Sequence, residues 1–160
     1  MISKYKNLPL RIGVGVILLN KNNEVFVAKR IDNPKNYWQM PQGGVDRGEN
    51  YYQAALRELN EETSIKSVSF LKEIDGFISY ELPDYLLGII WRGKYKGQNQ
   101  KWYLLRFEGS DNEINVKTSK PEFFEWKWIN IEDLTKVVVH FKLNVYKKLQ
   151  GEINKFLSLN

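Results

Sequence analysis

Cysteine is absent from the 160 residues, and histidine occurs once, as His140. A chain so composed forms no disulfide, no zinc–thiolate centre and no cysteine nucleophile. A multi-histidine metal site is excluded as well. Any metal must be held by oxygen, which points to Mg²⁺ or Mn²⁺. Long apolar runs are also missing. The longest, residues 14–19, contains Gly15 and is far too short to span a bilayer, so no membrane association is expected. Residues 1–6 lack the apolar stretch of a signal peptide. With the missing cysteines, this sets the expectation of a cytoplasmic protein. No repeat, low-complexity tract or linker divides the chain, and a single domain over residues 1–160 is expected.

The hydrophobic fraction is 42%, ordinary for a chain that buries a core. The formal charge is +5 and the pI about 9.2. That balance suits an anionic partner, although a lysine-rich solvated surface would give the same number.

Residues 11–19 are rich in β-branched side chains and read as a strand. Lys21-Asn22-Asn23 supplies turn chemistry, and residues 24–30 read as a returning strand. Residues 32–35, with Pro34, form a loop. Pro41-Gln42-Gly43-Gly44 is read as another, its glycines permitting unusual backbone angles. Residues 50–62 read as a helix. Strand-like segments follow at residues 68–74, 86–95, 101–107 and 123–129. A last helix covers residues 141–157, where Phe141, Val145, Leu149, Ile153 and Leu157 recur every four residues. Strands with one helix in the middle and one at the end imply an α/β sandwich around a mixed β-sheet.

At about 100° per residue, the helix over 50–62 gathers Tyr52, Ala55, Leu56, Leu59 and Thr63 on one side. Glu58, Glu61 and Glu62 gather on the opposite flank. Like charges three and four residues apart repel, and here they lie toward the C-terminal end, where the helix dipole disfavours anions. A divalent cation would relieve both effects, and clustered carboxylates suit Mg²⁺ bound together with substrate phosphates. Taken alone, three glutamates read more readily as a solvated acidic face.

Their surroundings are more specific. Gly43 is followed after five residues by Glu49, and after seven more by Arg57-Glu58-Leu59-Asn60-Glu61-Glu62, with Ile65 beyond. This spacing closely resembles the Nudix box. The resemblance implies a Nudix-type α/β/α sandwich, in which the box helix holds the metals. It implies Glu58, Glu61 and Glu62 as metal ligands and Arg57 with Glu49 as the charge pair bracing loop and helix. These five form the expected catalytic set. Gly43 and Gly44 would let the backbone pass close to the site. Ser64 stands where the family pattern has a helix-ending glycine. A left-handed turn there costs a serine on the order of 1 kcal/mol, and the turn is expected to survive.

Residues 37–44, Tyr-Trp-Gln-Met-Pro-Gln-Gly-Gly, are similar to a signature of the bacterial RNA pyrophosphohydrolase branch, also described as dinucleoside polyphosphate hydrolases. Blocks at 98–103, 111–114, 121–123 and 139–142 are similar to the same branch. The resemblance implies Glu122 as a further metal ligand or base, with Glu125 as its rival. Arg11, Lys101 and Lys142 become phosphate contacts, each also readable as a surface charge. Tyr80 and Phe141 become stacking surfaces for a base, although Phe141 also begins the apolar stripe of the last helix. Trp38, Trp102, Trp126 and Trp128 are assigned to the core, and His140 to a structural role.

The expected chemistry is metal-assisted attack of water on a phosphoanhydride. The expected substrate is the 5′-triphosphate end of RNA, and the alternative is a dinucleoside polyphosphate. DNA is not expected as a partner, and a monomer is. A Nudix scaffold that binds nucleotide or RNA without catalysis is the reading from another class.

Overall fold

The computed structural model describes residues 5–32 and 35–160. Residues 1–4, within the stretch read for a signal peptide, and Asn33-Pro34, within the expected 32–35 loop, lie outside the described residues.

Strand β1 (Leu10–Leu19) is buried on both faces from Gly13 onward. Its alternation sends Val14, Val16 and Leu18 to one side and Ile17 and Leu19 to the other. β1 pairs antiparallel with β2 (Val25–Arg30) and parallel with β6 (Gly97–Phe107). β4 (Val68–Glu73) and β7 (Phe123–Ile129) complete the order β4-β6-β1-β2-β7. Two short strands attach beside this path, β3 (Gln42–Gly44) on β1 and β5 (Ile78–Glu81) on β6.

Helix α1 (Tyr51–Thr63) covers the face of Val14, Val16 and Leu18 through Ala54, Ala55 and Leu59. The short α2 (Leu134–Val137) and the long α3 (Leu143–Leu159) cover the other, where Val145, Tyr146, Leu149 and Ile153 meet Ile17, Trp102 and Leu104. The α/β/α sandwich on a mixed sheet is thus the observed architecture. Trp38 and Trp102 are buried in it. Trp126 and Trp128 are half-buried, stacked and edge-on against Phe26.

Three local expectations are corrected. Residues 86–95 are not a strand. They form two 3₁₀ turns, Asp84–Leu86 and Ile90–Gly93, with Gly88, Trp91, Arg92 and Gly93 all at positive φ. Such backbone cannot run extended, and Leu86, Ile90 and Trp91 instead pack sideways on the core. Gln42–Gly44 is strand rather than loop. The final helix starts at Leu143, after a 3₁₀ turn over His140–Lys142.

Candidate active site

Asn50 starts α1, its side chain accepting a bond from the Gln53 amide at 2.8 Å. The helix ends at Ser64, which adopts φ 66° and ψ 6° and returns its N–H to Asn60. The Ser64 hydroxyl also donates to the Asn115 carbonyl at 2.9 Å, so the left-handed turn survives without glycine.

The three glutamates of α1 do not share a solvated flank. Glu61 is exposed, Glu58 half-buried and Glu62 only 4% exposed. Helix periodicity puts Glu62 about 20° from Ala55, on the side that packs on the sheet, beside Thr63, which is fully buried. Neither Glu62 carboxylate oxygen meets a hydrogen-bond partner. Burial pushes its pKa well up, and the Glu122 and Glu58 carboxylates push the same way. Glu58 is also raised by burial, against the pull of Arg57. Gly43 lies flat against Glu58, and a Cβ there would overlap the Glu58 carboxylate. A Cβ on Gly44 would strike the Arg11 guanidinium in the same way. Neither glycine has positive φ. They serve close approach, and the expectation of unusual backbone angles is corrected.

Arg57 ties loop to helix. It donates bidentately to Glu49 at 2.8 and 3.0 Å and to the Gly44 carbonyl at 2.9 Å. Its other nitrogen reaches Glu58 at 2.9 Å and Glu61 at 3.1 Å. The guanidinium holds the Glu49 carboxyl below its ordinary value and is itself pushed up.

A cleft of about 800 Å³ opens where β1, β3 and β5 meet the turn before α3, and Glu58 and Glu122 form its acidic end. Arg11, Arg30 and Lys142 line it as cations. Arg11 donates to Gln98 at 3.2 Å, and Gln98 donates onward to the Tyr80 hydroxyl at 2.8 Å. Tyr80 and Phe141 face each other with centroids 5.9 Å apart. The Lys142 ammonium lies 5.5 Å over the Tyr80 ring, and burial pulls its pKa down to about 7.

The cleft therefore brings together Arg11, Gly43, Gly44, Glu58, Tyr80, Glu122, Phe141 and Lys142. Lys101 is not among them. Its ammonium donates to the carbonyls of Ile74 and Gly76 at 2.8 and 3.1 Å, away from the cleft. On β6 it alternates with Gln98, Gln100 and Trp102, so strand periodicity turns it to the other face. Glu125 sits on β7 opposite Lys29 and does not line the cleft. Phe141 both lines the cleft and packs on the core. His140 is exposed at the rim, not a core residue.

Arg30, Gln42, Trp91 and Gln98 also line the cleft and were missed by the sequence reading. Arg30 sits at a register shift at the end of β2, 3.7 Å from Glu122. Gln98 carries a usable signal: with Gln100 it is polar on the face of β6 that otherwise enters the core through Trp102 and Leu104.

The NUDIX domain model matches residues 9–149. The chain belongs to the Nudix family. Among its relatives, an RNA pyrophosphohydrolase from Pelagibacter ubique (strain HTCC1062) is 65% identical over 152 residues, covering 95% of this chain and 96% of that protein. An RNA pyrophosphohydrolase from Orientia tsutsugamushi (strain Boryong) is 43% identical over 156 residues, covering 98% and 97%. Two solved structures share the Nudix fold. The E. coli dihydroneopterin triphosphate pyrophosphohydrolase has a TM-score of 0.68 at 20% identity, covering 89% of this chain and 97% of that one. A C. elegans Ap4A hydrolase binary complex has a TM-score of 0.62 at 22% identity, covering 92% and 96%.

Nudix hydrolases generally need divalent cations, and the donor set here fits one. The chain offers oxygen ligands, and the buried Glu62 lacks any donor. A proton shared with Glu122 would satisfy it, and so would a cation. Among the described residues, no three acidic or histidine side chains already converge at ligating geometry. Arg57 holds Glu58 and Glu61 to itself.

Proposed function

We propose that this Nudix chain removes pyrophosphate from the 5′-triphosphate end of RNA, in the cytoplasm and as a single catalytic domain. The observation that carries the proposal is the composition of one cleft. Its acidic end holds Glu58 and Glu122 beside the buried, donor-free Glu62, while Arg11, Arg30 and Lys142 with Tyr80 and Phe141 line the rest. A nucleotide polyphosphate presents the matching groups, phosphates for the cations and a base for the rings. The two relatives named as RNA pyrophosphohydrolases support the same substrate.

Glu58, Glu61 and Glu62, joined by Glu122, would hold Mg²⁺ or Mn²⁺. Such a cation, when bound, supplies charge neutralisation and lowers the pKa of water. The remaining work falls to the chain. Arg57 keeps Glu58 and Glu61 in place, and Gly43 lets the β3 backbone approach Glu58. Arg11 and Arg30 orient the phosphates and stabilise the leaving pyrophosphate. Glu122, reaching in from the loop before β7, serves either as a ligand or as the group that takes the proton from the attacking water. A Glu122→Gln variant separates these roles: unchanged Mn²⁺ affinity with lost turnover marks the proton acceptor, and lost affinity marks the ligand.

Dinucleoside polyphosphate is the second substrate to compare, favoured by the Tyr80–Phe141 pair. Purified protein is offered 5′-triphosphorylated RNA and diadenosine tetraphosphate with Mg²⁺ or Mn²⁺. A higher kcat/KM for RNA supports the proposal. A higher value for the dinucleotide moves the role to small nucleotides. Absence of turnover on both, with cation bound, leaves a binding module.

A further inference from the structure

Two arginines line the cleft, and they are held in different ways. Arg30 is tied to the carboxylates of Asp32 and Glu122. Arg11 forms no ion pair among the described residues. Its orientation comes from uncharged neighbours. One guanidinium nitrogen donates to the Gln98 side chain at 3.2 Å. Another lies against Gly44, so closely that no Cβ fits between them. The third neighbour is Trp91, whose ring centroid is 5.8 Å from the guanidinium carbon. Trp91 lines the same cleft, and the chemistry proposed above gives it no task.

Trp91 reaches Arg11 on a strained backbone. Trp91, Arg92 and Gly93 follow one another at φ 52°, 57° and 74°. In that left-handed region an L-residue with a side chain crowds its own carbonyl oxygen, so two of the three are unfavourable. The turn is closed from both ends. Lys94 returns its N–H to the Trp91 carbonyl at 3.1 Å, and a Cβ on Gly93 would stand 2.9 Å from the Gly88 carbonyl. Strain of this kind persists only where the surroundings over-determine it, and it gathers at ligand sites. Core packing does not explain it. Trp91 packs on the core only in part and remains half-buried, whereas Trp102 is 1% exposed on ordinary strand backbone. An aliphatic side chain would fill the same place without an indole.

We infer that Trp91 is a positioning residue for Arg11, its indole holding the guanidinium toward the substrate phosphates where a carboxylate would neutralise it. The inference rests on the reading of Arg11 as a phosphate contact. A carboxylate partner would fix Arg11 equally well, but it would occupy the donors that a phosphate needs. A π face attracts the cation and leaves those donors to the substrate. Tryptophan provides the strongest such attraction among the aromatic side chains. That preference accounts for the strain retained to bring an indole to this point.

The test is a double-mutant cycle on kcat/KM for triphosphorylated RNA in Mg²⁺: wild type, Trp91→Leu, Arg11→Ala and the pair together. Trp91→Met runs beside Trp91→Leu as a second apolar replacement, so that poor folding of one leaves the cycle intact. Loss of the indole from the wild type is expected to lower kcat/KM by about fivefold or more, the size of one cation–π contact. In the Arg11→Ala background the same substitution is expected to change nothing, because the two residues act as a unit. Trp91→Phe keeps a π face and should recover most of the loss. Equal fold losses in both backgrounds, no loss in the wild type, or no recovery by phenylalanine would each overturn the positioning role. Unchanged kcat/KM in Arg11→Ala alone would overturn the phosphate role of Arg11 and the inference with it. Failure of the wild type on every triphosphorylated RNA would instead overturn the RNA reading itself.

Discussion

Arg57 shows how much of the site one side chain organises. It holds Glu49, Asp46, the Gly44 carbonyl, Glu58 and Glu61 together, joining the loop after β3 to the middle of α1. Lysine carries the same charge but not the planar fork that bonds two carboxylate oxygens at once. In Arg57→Lys, turnover is expected to fall by about 100-fold, the cost of misplacing catalytic groups by about 1 Å. Circular dichroism should show the fold intact. Gly43 is constrained from the opposite side. In Gly43→Ala the added methyl meets the Glu58 carboxylate, and such overpacking costs about 1–3 kcal/mol. A lowered melting temperature and strongly reduced turnover are expected together. The box residues were legible because their spacing is distinctive over one loop and one helix. Arg30 and Trp91 were not, because no short pattern links them. They meet only after the end of β2 and the turn Ile90–Gly93 have come together at the cleft.

Among the elements, α1 was the clearest in the sequence, since its apolar period and the box spacing agree. Its burial of Glu62 was legible too: at 100° per residue Glu62 falls about 20° from Ala55, within the buried arc of Ala54, Ala55, Leu59 and Thr63, and reading it with the acidic flank overlooked that. Residues 86–95 misled for the converse reason: an apolar run reads as strand until the positive φ angles at Gly88, Trp91, Arg92 and Gly93 are seen. At the end of α1, Ser64 pays about 1 kcal/mol for its left-handed backbone and recovers a similar amount, about 1 kcal/mol, from its bond to Asn115. Ser64→Gly is therefore expected to be close to neutral in denaturant unfolding. Ser64→Ala, which keeps the strain and loses the bond, should destabilise by about 1 kcal/mol.

Across the whole molecule, the acidic and cationic groups of the cleft set opposing pH dependences. The folded pKa of Glu62 is raised, so above the ordinary value of 4.5 the folded state binds more protons than the unfolded. Stability should then fall as pH rises from 4.5 through the folded pKa, and Glu58 acts in the same direction. Lys142 is lowered from 10.5 to about 7, so the unfolded state binds more protons between those values. Stability should rise with pH across that window. Asp32, Glu49 and Glu113 are held below their ordinary values and act at more acid pH. Glu62→Gln should remove the acid-side fall, and Lys142→Met the alkaline-side rise. Melting curves across pH 5–10 in chelator check both.

The cations, the acidic end and the Tyr80–Phe141 pair of the cleft meet in one claim, that it cuts a phosphoanhydride at an RNA 5′ end through the α1 carboxylates. The most direct measurement is product analysis of triphosphorylated RNA, labelled in its terminal phosphate, with wild type and Glu62→Gln side by side in Mg²⁺ or Mn²⁺. Release of labelled pyrophosphate and a monophosphorylated RNA by the wild type, reduced by orders of magnitude in the folded variant, is the expected result. Equal turnover by the two proteins, or no release by the wild type with cation bound, would contradict the claim.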